Sequence, residues 1–302
     1  MASSPAILSR PRFPAPRDVL ELSKPVTWFP PMWAFLCGVV SSGAALGPRI
    51  GFVLMGVLLV GPLVCGTSQA VNDWFDRHVD AINEPNRPIP SGRIGGRWGL
   101  WIACAGTAIS FLVGALLGPW VLAATCVGLV CAWAYSAPPF RLKVSGVWGP
   151  ATVALTYEGL SWFTGASVPL AGPPPPATLA VIALYSLGAW GIMTLNDFKA
   201  VEGDRLTGVR SLPATIGIGP AARLACLVMA VPQIGGVVLL WQLDHRFVAG
   251  LIAASLATQG VLMRRLLRDP ARFAPWYNAT GISLYVSGMM AAAFGLGGVL
   301  GA

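Results

Sequence analysis

Four carboxylates fall within one short stretch of the chain, VNDWFDRHVDAINE. On a helix Asp73, Asp76 and Asp80 occupy positions i, i+3 and i+7, which lie within about 60° of one another. Carboxylates held so close repel each other unless a cation lies among them. Oxygen-only ligands favour a hard ion such as Mg²⁺, which commonly bridges carboxylates to substrate phosphates. The spacing therefore predicts a metal site for a phosphorylated substrate, with a solvated helix end as the alternative interpretation.

A second stretch, LNDFKAVEGDR, repeats this pattern later in the chain. An Asn-Asp pair returns at Asn196 and Asp197. Asp204 follows at the spacing of the first stretch, while Ala200 takes the middle position. Arginine and proline follow both stretches. Two acidic stripes, each followed by cations, predict a diphosphate held through two metal ions, with Arg and Lys side chains taking the remaining charge.

Two overlapping sets of candidate residues follow from the two stretches, and a third set adds basic residues from these and other segments of the chain. The candidate catalytic residues are Asp73, Asp76, Asp80, Asp197 and Asp204. The candidate metal ligands are Asn72, Asp73, Asp76, Asp80, Asn196, Asp197 and Asp204. The candidate diphosphate-binding residues are Lys24, Arg87, Arg141, Lys143, Lys199 and Arg205.

The composition predicts the membrane helices that hold these stretches in place. Of the 302 residues, 55% are hydrophobic and only 11% are charged, whereas a soluble domain carries roughly 25% charged residues. We therefore expect an all-α polytopic membrane protein with about nine transmembrane helices. At roughly 20 residues per crossing, the predicted spans are 25–46, 50–71, 98–117, 120–136, 147–168, 177–196, 219–240, 247–263 and 277–298. Residues 1–24 are expected to form a cytoplasmic N-terminal tail and residues 25–302 a single transmembrane domain.

The basic residues predict the orientation of these spans. Eighteen of the 20 Lys and Arg residues fall in the segments on the N-terminal side of the membrane, and only Arg49 and Arg246 fall on the other side. Basic residues concentrate in cytoplasmic loops, so the N-terminus and both acidic stretches are expected to be cytoplasmic. Topology thus explains the net charge of +8. It requires no nucleic-acid partner, and the lipid bilayer is the expected surroundings.

The motifs NDxxDxxxD, followed by RPIPSG, and NDFKxxEGD resemble those of the UbiA superfamily of intramembrane prenyltransferases. The resemblance covers nearly the whole chain. Three segments resemble the branch of the family that attaches an isoprenoid tail to bacteriochlorophyllide. They are KPVTWFPPMWAFLCGVVSSG, NDWFDRHVDAINEPNRPIPSGR and TLNDFKAVEGDR. Many relatives carry a third aspartate in the second motif, where Ala200 stands here. The second metal would then be held by Asp197 and Asp204, with Glu202 as a further candidate.

This resemblance implies a UbiA-type helical bundle around a central cavity, and Mg²⁺ as the cofactor. It implies transfer of a geranylgeranyl or phytyl group from its diphosphate to the propionate of bacteriochlorophyllide, the last stage of bacteriochlorophyll synthesis. The expected location is the bacterial inner, intracytoplasmic membrane, with pigment-synthesis or photosystem assembly proteins as further partners.

An acceptor pocket is expected around one buried carboxylate. Glu158 lies in the middle of a predicted span, where a charge is costly and usually functional; a protonated, hydrogen-bonded structural role is the alternative. Tyr157 and Trp162 flank it as candidates to line the pocket. His78 is a further candidate, either as a ligand of the pigment's magnesium or as a ring that simply packs.

Other functions remain open from the sequence. A relative that acts on chlorophyllide, a quinone precursor or haem would carry the same motifs. A non-catalytic pigment carrier or assembly protein would keep the fold, although most of the aspartates are present. A transporter is disfavoured because its site would lie near the bilayer midplane, whereas the acidic residues here gather at one face.

Overall fold

The computed structural model describes residues 13–298. The first twelve residues of the predicted tail lie outside this range. Within it the chain forms fourteen α-helices. In chain order they are α1 (Pro16–Leu22), α2 (Phe29–Ser41), α3 (Ile50–Leu58), α4 (Gly66–Asn83), α5 (Trp98–Leu117), α6 (Pro119–Ser136), α7 (Trp148–Ala154), α8 (Ser161–Leu170), α9 (Pro176–Leu195), α10 (Val201–Thr207), α11 (Leu212–Ile216), α12 (Ile218–Gln242), α13 (Arg246–Leu266) and α14 (Pro270–Leu296).

Short segments of other helical types join some of these helices. Two are π-helices, Leu59–Cys65 between α3 and α4 and Leu155–Leu160 between α7 and α8. Pro62 lies inside the first of them and cannot donate the regular backbone hydrogen bond. Four are 3-10 turns, Pro25–Trp28, Gly47–Arg49, Leu142–Val144 and Asn196–Lys199. Within residues 13–298 the only β-type pairing is an isolated bridge between Ser145 and Arg210.

Seven helical runs of the described chain are long and apolar enough to cross a membrane, so the predicted all-α membrane fold is confirmed. They are Gly47–Asn83, Trp98–Leu117, Pro119–Ser136, Pro176–Lys199, Ile218–Gln242, Arg246–Leu266 and Pro270–Leu296. Each coincides with one of the predicted spans.

The count of nine spans is not confirmed. The two remaining predicted spans are helical, over residues 25–41 and 148–170. The first begins as a 3-10 turn and ends at Ser41, five residues before its predicted end. The second carries Glu158 and several hydroxyl side chains, which lower its mean hydropathy. Neither is therefore among the seven runs.

The run Gly47–Asn83 explains why the first acidic stretch lies at a surface. Its 37 residues, at 1.5 Å per residue, span about 55 Å, whereas the hydrocarbon core of a bilayer is about 30 Å thick. The predicted span 50–71 thus continues without a break through the acidic stretch. The run is therefore longer than the apolar layer, and the acidic stretch lies in its last turns.

The largest apolar core lies between α2, α8, α9, α12, α13 and α14. Its large side chains include Trp162, Tyr185, Tyr277 and Tyr285, all with at most 1% exposure. The backbones of α2 and α8 lie in close contact at Gly165. A Cβ at this position would lie 1.9 Å from the carbonyl oxygen of Phe35. Such close packing of small residues is common where helices associate in membranes. This core holds α9, and the second acidic stretch follows directly after that helix.

Candidate active site

The first motif, residues 72–80, occupies the last turns of α4, as its spacing predicts. Asp73 is 1% exposed and its Oδ1 lies 2.6 Å from Lys24 Nζ. Asp80 is also buried and its Oδ2 accepts a hydrogen bond from Arg87 Nη1 at 2.8 Å. The same guanidinium lies 3.6 Å from Asp73. Arg87 therefore bridges two of the three aspartates.

The third aspartate of the motif, Asp76, is partly buried and meets two further cations. Lys143 Nζ donates a short hydrogen bond to Asp76 Oδ2, and Arg141 Nη2 lies 3.9 Å from Oδ1. Burial lowers the pKa of Lys143, against the opposing effect of the hydrogen bond to Asp76. Four of the six predicted diphosphate-binding cations thus converge on the first motif.

These cations come from three separate segments of the chain. Lys24 lies between α1 and the first 3-10 turn, Arg87 follows α4, and Arg141 and Lys143 lie between α6 and α7. Lys24 and Arg141 have φ of 47° and 42°, a left-handed conformation that is uncommon for residues other than glycine and frequent at functional sites. Burial lowers the pKa of Arg87, but the carboxylates of Asp73 and Asp80 raise it by more.

The second motif, residues 196–204, differs from the predicted continuous stripe. It consists of the 3-10 turn Asn196–Lys199, a break at Ala200, and α10. The break has a physical reason, since Phe198 and Val201 on either side of it are both buried and turn the chain back onto the protein. Asp197 and Asp204 nevertheless lie close enough to interact electrostatically.

The remaining polar residues of the second motif are more exposed. Asn196 Oδ1 accepts a hydrogen bond from Asn278 Nδ2 of α14 at 3.1 Å, which ties this turn to the last helix. Lys199 and Arg205 are exposed, and Asp204 is partly exposed. The second motif is thus more open to water than the first.

Two features bring the motifs together at one end of the bundle, which we call the motif face. The hydroxyl of Tyr135, at the end of α6, lies within electrostatic reach of both Asp76 and Asp197. The loop that carries Lys143 also pairs with the chain after α10, because Arg210 N donates to Val144 O at 2.9 Å. The two motifs therefore face the same space.

Gly146 permits this pairing of loops. Its N–H donates to the carbonyl oxygen of Arg210 at 2.7 Å. A Cβ at this position would lie 2.4 Å from the backbone nitrogen of Leu212 and 2.6 Å from Arg210 O. Only glycine fits without a backbone shift.

A cavity of about 240 Å³ opens beside the first motif. Asn72 and Tyr135 line it at the motif face. Deeper in the bundle its wall is largely apolar, with Val60, Gly128 and Leu160 from three different helical runs. The cavity lies next to the charged cluster, since Asn72 on its wall adjoins Asp73 in the chain. A largely apolar cavity beside a charged cluster suits a ligand with an apolar tail and an anionic head.

Comparisons with known proteins decide the family of the chain. The model of the UbiA prenyltransferase family matches residues 28–297. The chain belongs to the UbiA prenyltransferase family. It is similar to the bacteriochlorophyll synthase 33 kDa chain of Cereibacter sphaeroides, with 59% identity over 95% of each chain. It is also similar to the chloroplastic chlorophyll synthase of Oryza sativa subsp. japonica, with 33% identity over 91% of this chain and 75% of that one.

A solved structure shows the same fold. The UbiA homolog from Archaeoglobus fulgidus, described as bound to GPP and Mg²⁺, has a TM-score of 0.73 and 20% identity, and the match covers 92% of this chain and 99% of that chain. The chain therefore has the helical bundle of the family. Its membership of the family makes it a prenyltransferase.

The carboxylates of this UbiA prenyltransferase provide oxygen donors for a metal ion. Asp73 Oδ2 is buried and has no hydrogen-bond partner within residues 13–298. No three carboxylate, imidazole or thiol groups of that part of the chain are already gathered as a ligand set. Each aspartate of the first motif is instead paired with a Lys or Arg side chain. An unpaired buried carboxylate oxygen fits Mg²⁺, which prefers oxygen ligands and keeps several waters.

A polar contact crosses the cavity of this UbiA prenyltransferase. Tyr157 Oη accepts hydrogen bonds from Cys65 Sγ at 3.3 Å and from Gln69 Nε2 at 3.4 Å. Cys65 and Tyr157 lie in the two π-helices, which are frequent at functional sites. Sequence reasoning missed Gln69 as a site residue, although it precedes Asn72 by one helical turn and therefore shares its face. It also missed the position of Tyr135 between the motifs.

Of the residues expected to form the acceptor pocket, one lines the cavity and the others do not. Tyr157 lines the cavity, as expected. Glu158 does not line it and is instead buried within electrostatic reach of Cys37 and Tyr285. Trp162 is fully buried in the large core, where its Nε1 donates to Ser41 Oγ at 3.1 Å.

His78, the fourth expected acceptor residue, is exposed on α4. Residues 155–160 form a π-helix, in which the faces differ from those of a regular helix. Glu158 and Trp162 therefore do not line this cavity, in contrast to Tyr157.

Proposed function

We propose that this UbiA prenyltransferase transfers a geranylgeranyl or phytyl group from its diphosphate to the propionate carboxylate of bacteriochlorophyllide. The observation that carries the proposal is the largely apolar cavity, lined by Asn72 and Tyr135, beside the three aspartates of the first motif and their four cations. The similarity to a bacteriochlorophyll synthase chain at 59% identity, against 33% for a chlorophyll synthase, supports the choice of acceptor.

The cations around the first motif would hold the diphosphate. Lys24, Arg87, Arg141 and Lys143 bring four positive charges to the aspartates of the first motif, beside the cavity. Arg and Lys side chains bind phosphate oxygens strongly, since both partners of the hydrogen bond are charged. We assign the exposed Lys199 and Arg205 a weaker role at the second motif.

Mg²⁺ would be held by carboxylates of both motifs, with the side-chain oxygens of Asn72 and Asn196 as further ligands. The aspartates assigned to this role are Asp73, Asp76, Asp80, Asp197 and Asp204. When bound, the ion supplies charge stabilisation for the departing diphosphate. The A. fulgidus UbiA homolog, described as bound to GPP and Mg²⁺, supports this part of the proposal.

The proposed reaction needs no general base. A propionate of ordinary pKa is already ionised at neutral pH. One carboxylate oxygen forms a bond to C1 of the allylic group as the bond between C1 and the diphosphate oxygen breaks, and the diphosphate carries away the electron pair. Lys24, Arg87 and Lys143 stabilise the charge that develops on it. The apolar wall of the cavity keeps water away from the allylic carbon.

The proposed setting is the bacterial inner, intracytoplasmic membrane, with the motif face toward the cytoplasm. The distribution of Lys and Arg supports this orientation. Residues 25–302 would act as a single transmembrane domain. Pigment-synthesis or photosystem assembly proteins are proposed as partners, because an acceptor and product this apolar need transfer within the membrane.

The test is an assay with purified protein in lipid nanodiscs. Labelled geranylgeranyl diphosphate and Mg²⁺ are supplied with either bacteriochlorophyllide or chlorophyllide, and the pigment ester is identified by mass spectrometry. We expect ester from bacteriochlorophyllide, less from chlorophyllide, and none when EDTA removes the metal. Preferred esterification of chlorophyllide would overturn the acceptor assignment. Binding of either pigment without any ester would instead identify a non-catalytic carrier.

A further inference from the structure

One arginine outside the charge cluster at the first motif makes an unusually complete set of contacts. Arg93 follows the loop after α4, and its Nη1 donates to Asp18 Oδ1 at 2.7 Å and to Glu21 Oε2 at 2.6 Å. Its Nη2 donates to Glu21 Oε1 at 2.6 Å and to the carbonyl oxygen of Asn86 at 2.7 Å. We call this set of contacts the Arg93 clasp.

The Arg93 clasp is a built contact between α1 and the loop after α4. Two parallel hydrogen bonds to Glu21 give the paired geometry in which an Arg–carboxylate contact is strongest. Asp18 is 4% exposed, so the contact is partly screened from water. By contrast, Arg17 beside it is 85% exposed and approaches Asp18 only to 3.9 Å. The hydrogen bond from Arg93 lowers the pKa of Glu21.

Helix α1 is also anchored by an apolar contact next to the Arg93 clasp. Leu22 is fully buried in a cluster with Val71 of α4 and Ile94, which adjoins Arg93. Beyond Leu22 the chain turns sharply at Lys24, where φ is 47°. The clasp and the apolar cluster together fix the direction from which Lys24 Nζ reaches Asp73, at 2.6 Å.

We infer that Arg93 is a positioning residue for the diphosphate site and that it acts through Lys24. The inference rests on the proposed function, in which Lys24 binds the diphosphate. Arg93 touches neither motif itself; its role is to hold α1 so that the lysine of the next turn lies over Asp73. Without the clasp, α1 keeps only its apolar anchor, and Lys24 is no longer fixed over the site.

The experiment combines Arg93→Ala with Lys24→Ala in a double-mutant cycle, read out as KM and kcat for prenyl diphosphate. We expect R93A to lower kcat/KM about tenfold, mainly through a higher KM, because positioned binding contacts are lost. In the K24A background R93A should change kcat/KM by less than about twofold, since the residue that it positions is gone. R93K should recover only part of the loss, because lysine lacks the planar fork.

Controls separate positioning from folding. Arg17→Ala removes an exposed arginine of the same helix and should behave as the wild type. Glu21→Gln keeps Arg93 and Asp18 and should give a smaller KM increase, so the inference stays testable even where R93A fails to fold. Thermal unfolding in detergent is recorded for every variant.

The outcomes distinguish this inference from the proposed function. Equal loss of kcat/KM by R93A in the wild-type and K24A backgrounds overturns the action through Lys24. Lower thermal stability with unchanged kinetics shows that Arg93 is only structural and also overturns it. If K24A behaves as the wild type, the diphosphate role of Lys24 fails and the inference fails with it, whereas K24A impaired beside an unaffected R93A overturns the inference alone.

Discussion

Replacing Asp73 by asparagine removes a buried charge while it keeps the shape of the side chain. Asp73 is 1% exposed, with Lys24 Nζ at 2.6 Å and Arg87 Nη1 at 3.6 Å. At an effective dielectric constant of ~20, the attraction between Asp73 and Lys24 alone is roughly 6 kcal/mol before desolvation. Breaking a buried pair by removing one partner costs about 3–5 kcal/mol. Because the Lys24 side chain remains 24% exposed, we expect a loss near the lower end, about 3 kcal/mol.

D73N molecules that remain folded should also lose activity. If Asp73 binds the metal and orders the cations, D73N should lower kcat/KM at least about 100-fold, or about 2.7 kcal/mol. The assay measures prenyl transfer as a function of Mg²⁺, next to thermal unfolding of the same preparation. The matched control is Asp244→Asn, since Asp244 is 81% exposed and pairs with the exposed Arg246. That variant should stay within about 0.5 kcal/mol of the wild type and keep full activity.

A D73N variant that keeps more than roughly a tenth of the wild-type kcat/KM, a loss under about 1.4 kcal/mol, would refute the assigned role. Asp76→Asn is a second test variant for the case in which D73N does not fold. Its carboxylate is 19% exposed, so the folding cost should be smaller while the loss of activity is of the same order.

The remaining predictions concern the second motif, the buried glutamate and the loop contact. Ala200→Asp should fold and increase the apparent affinity for Mg²⁺ in a rate titration; a folded but inactive variant would show that substrate occupies that space. Glu158→Gln should leave the acceptor KM unchanged, because Glu158 is buried and does not line the cavity; a raised acceptor KM would contradict this. Gly146→Ala should destabilise the protein by about 1–3 kcal/mol and lower kcat/KM, as a methyl group at 2.4 Å from Leu212 N separates the two loops; wild-type kinetics would show that the loops need no coupling.

The sequence predicts the first motif well because its geometry is local. Asp73, Asp76 and Asp80 follow the 3.6-residue period of one helix, and that helix forms as expected. Hydrophobic runs likewise predict the positions of seven spans, since each run must satisfy its own backbone in lipid. The cations that follow the motifs were also predicted, as charges that a diphosphate requires.

Contacts between distant segments lie beyond such local patterns. Lys24 reaches Asp73 only because α1 folds back over α4, and Arg93 holds it there through Asp18 and Glu21. No spacing in the sequence encodes these pairs, since they depend on how loops pack. The pairing of Arg210 with the loop after α6 is of the same kind.

The position of Glu158 away from the cavity has a local cause. Regular spacing places Tyr157 and Glu158 about 100° apart on a helix, so both cannot face the same cavity fully. The π-helix Leu155–Leu160 further changes the directions in which successive side chains point. A prediction based on the regular period of 3.6 residues does not include this change. The break at Ala200 arises similarly, from the burial of Phe198 and Val201 in tertiary contacts.

In the proposed reaction, the bond between C1 of the prenyl group and the diphosphate oxygen breaks. The most direct measurement follows ¹⁸O placed in that bridging position of geranylgeranyl diphosphate, with bacteriochlorophyllide as acceptor and both products analysed by mass spectrometry. We expect all of the label in the released diphosphate and none in the pigment ester, because the ester oxygen comes from the propionate. Label retained in the ester would show that the propionate is activated and attacked by a prenyl alcohol, and it would contradict the account.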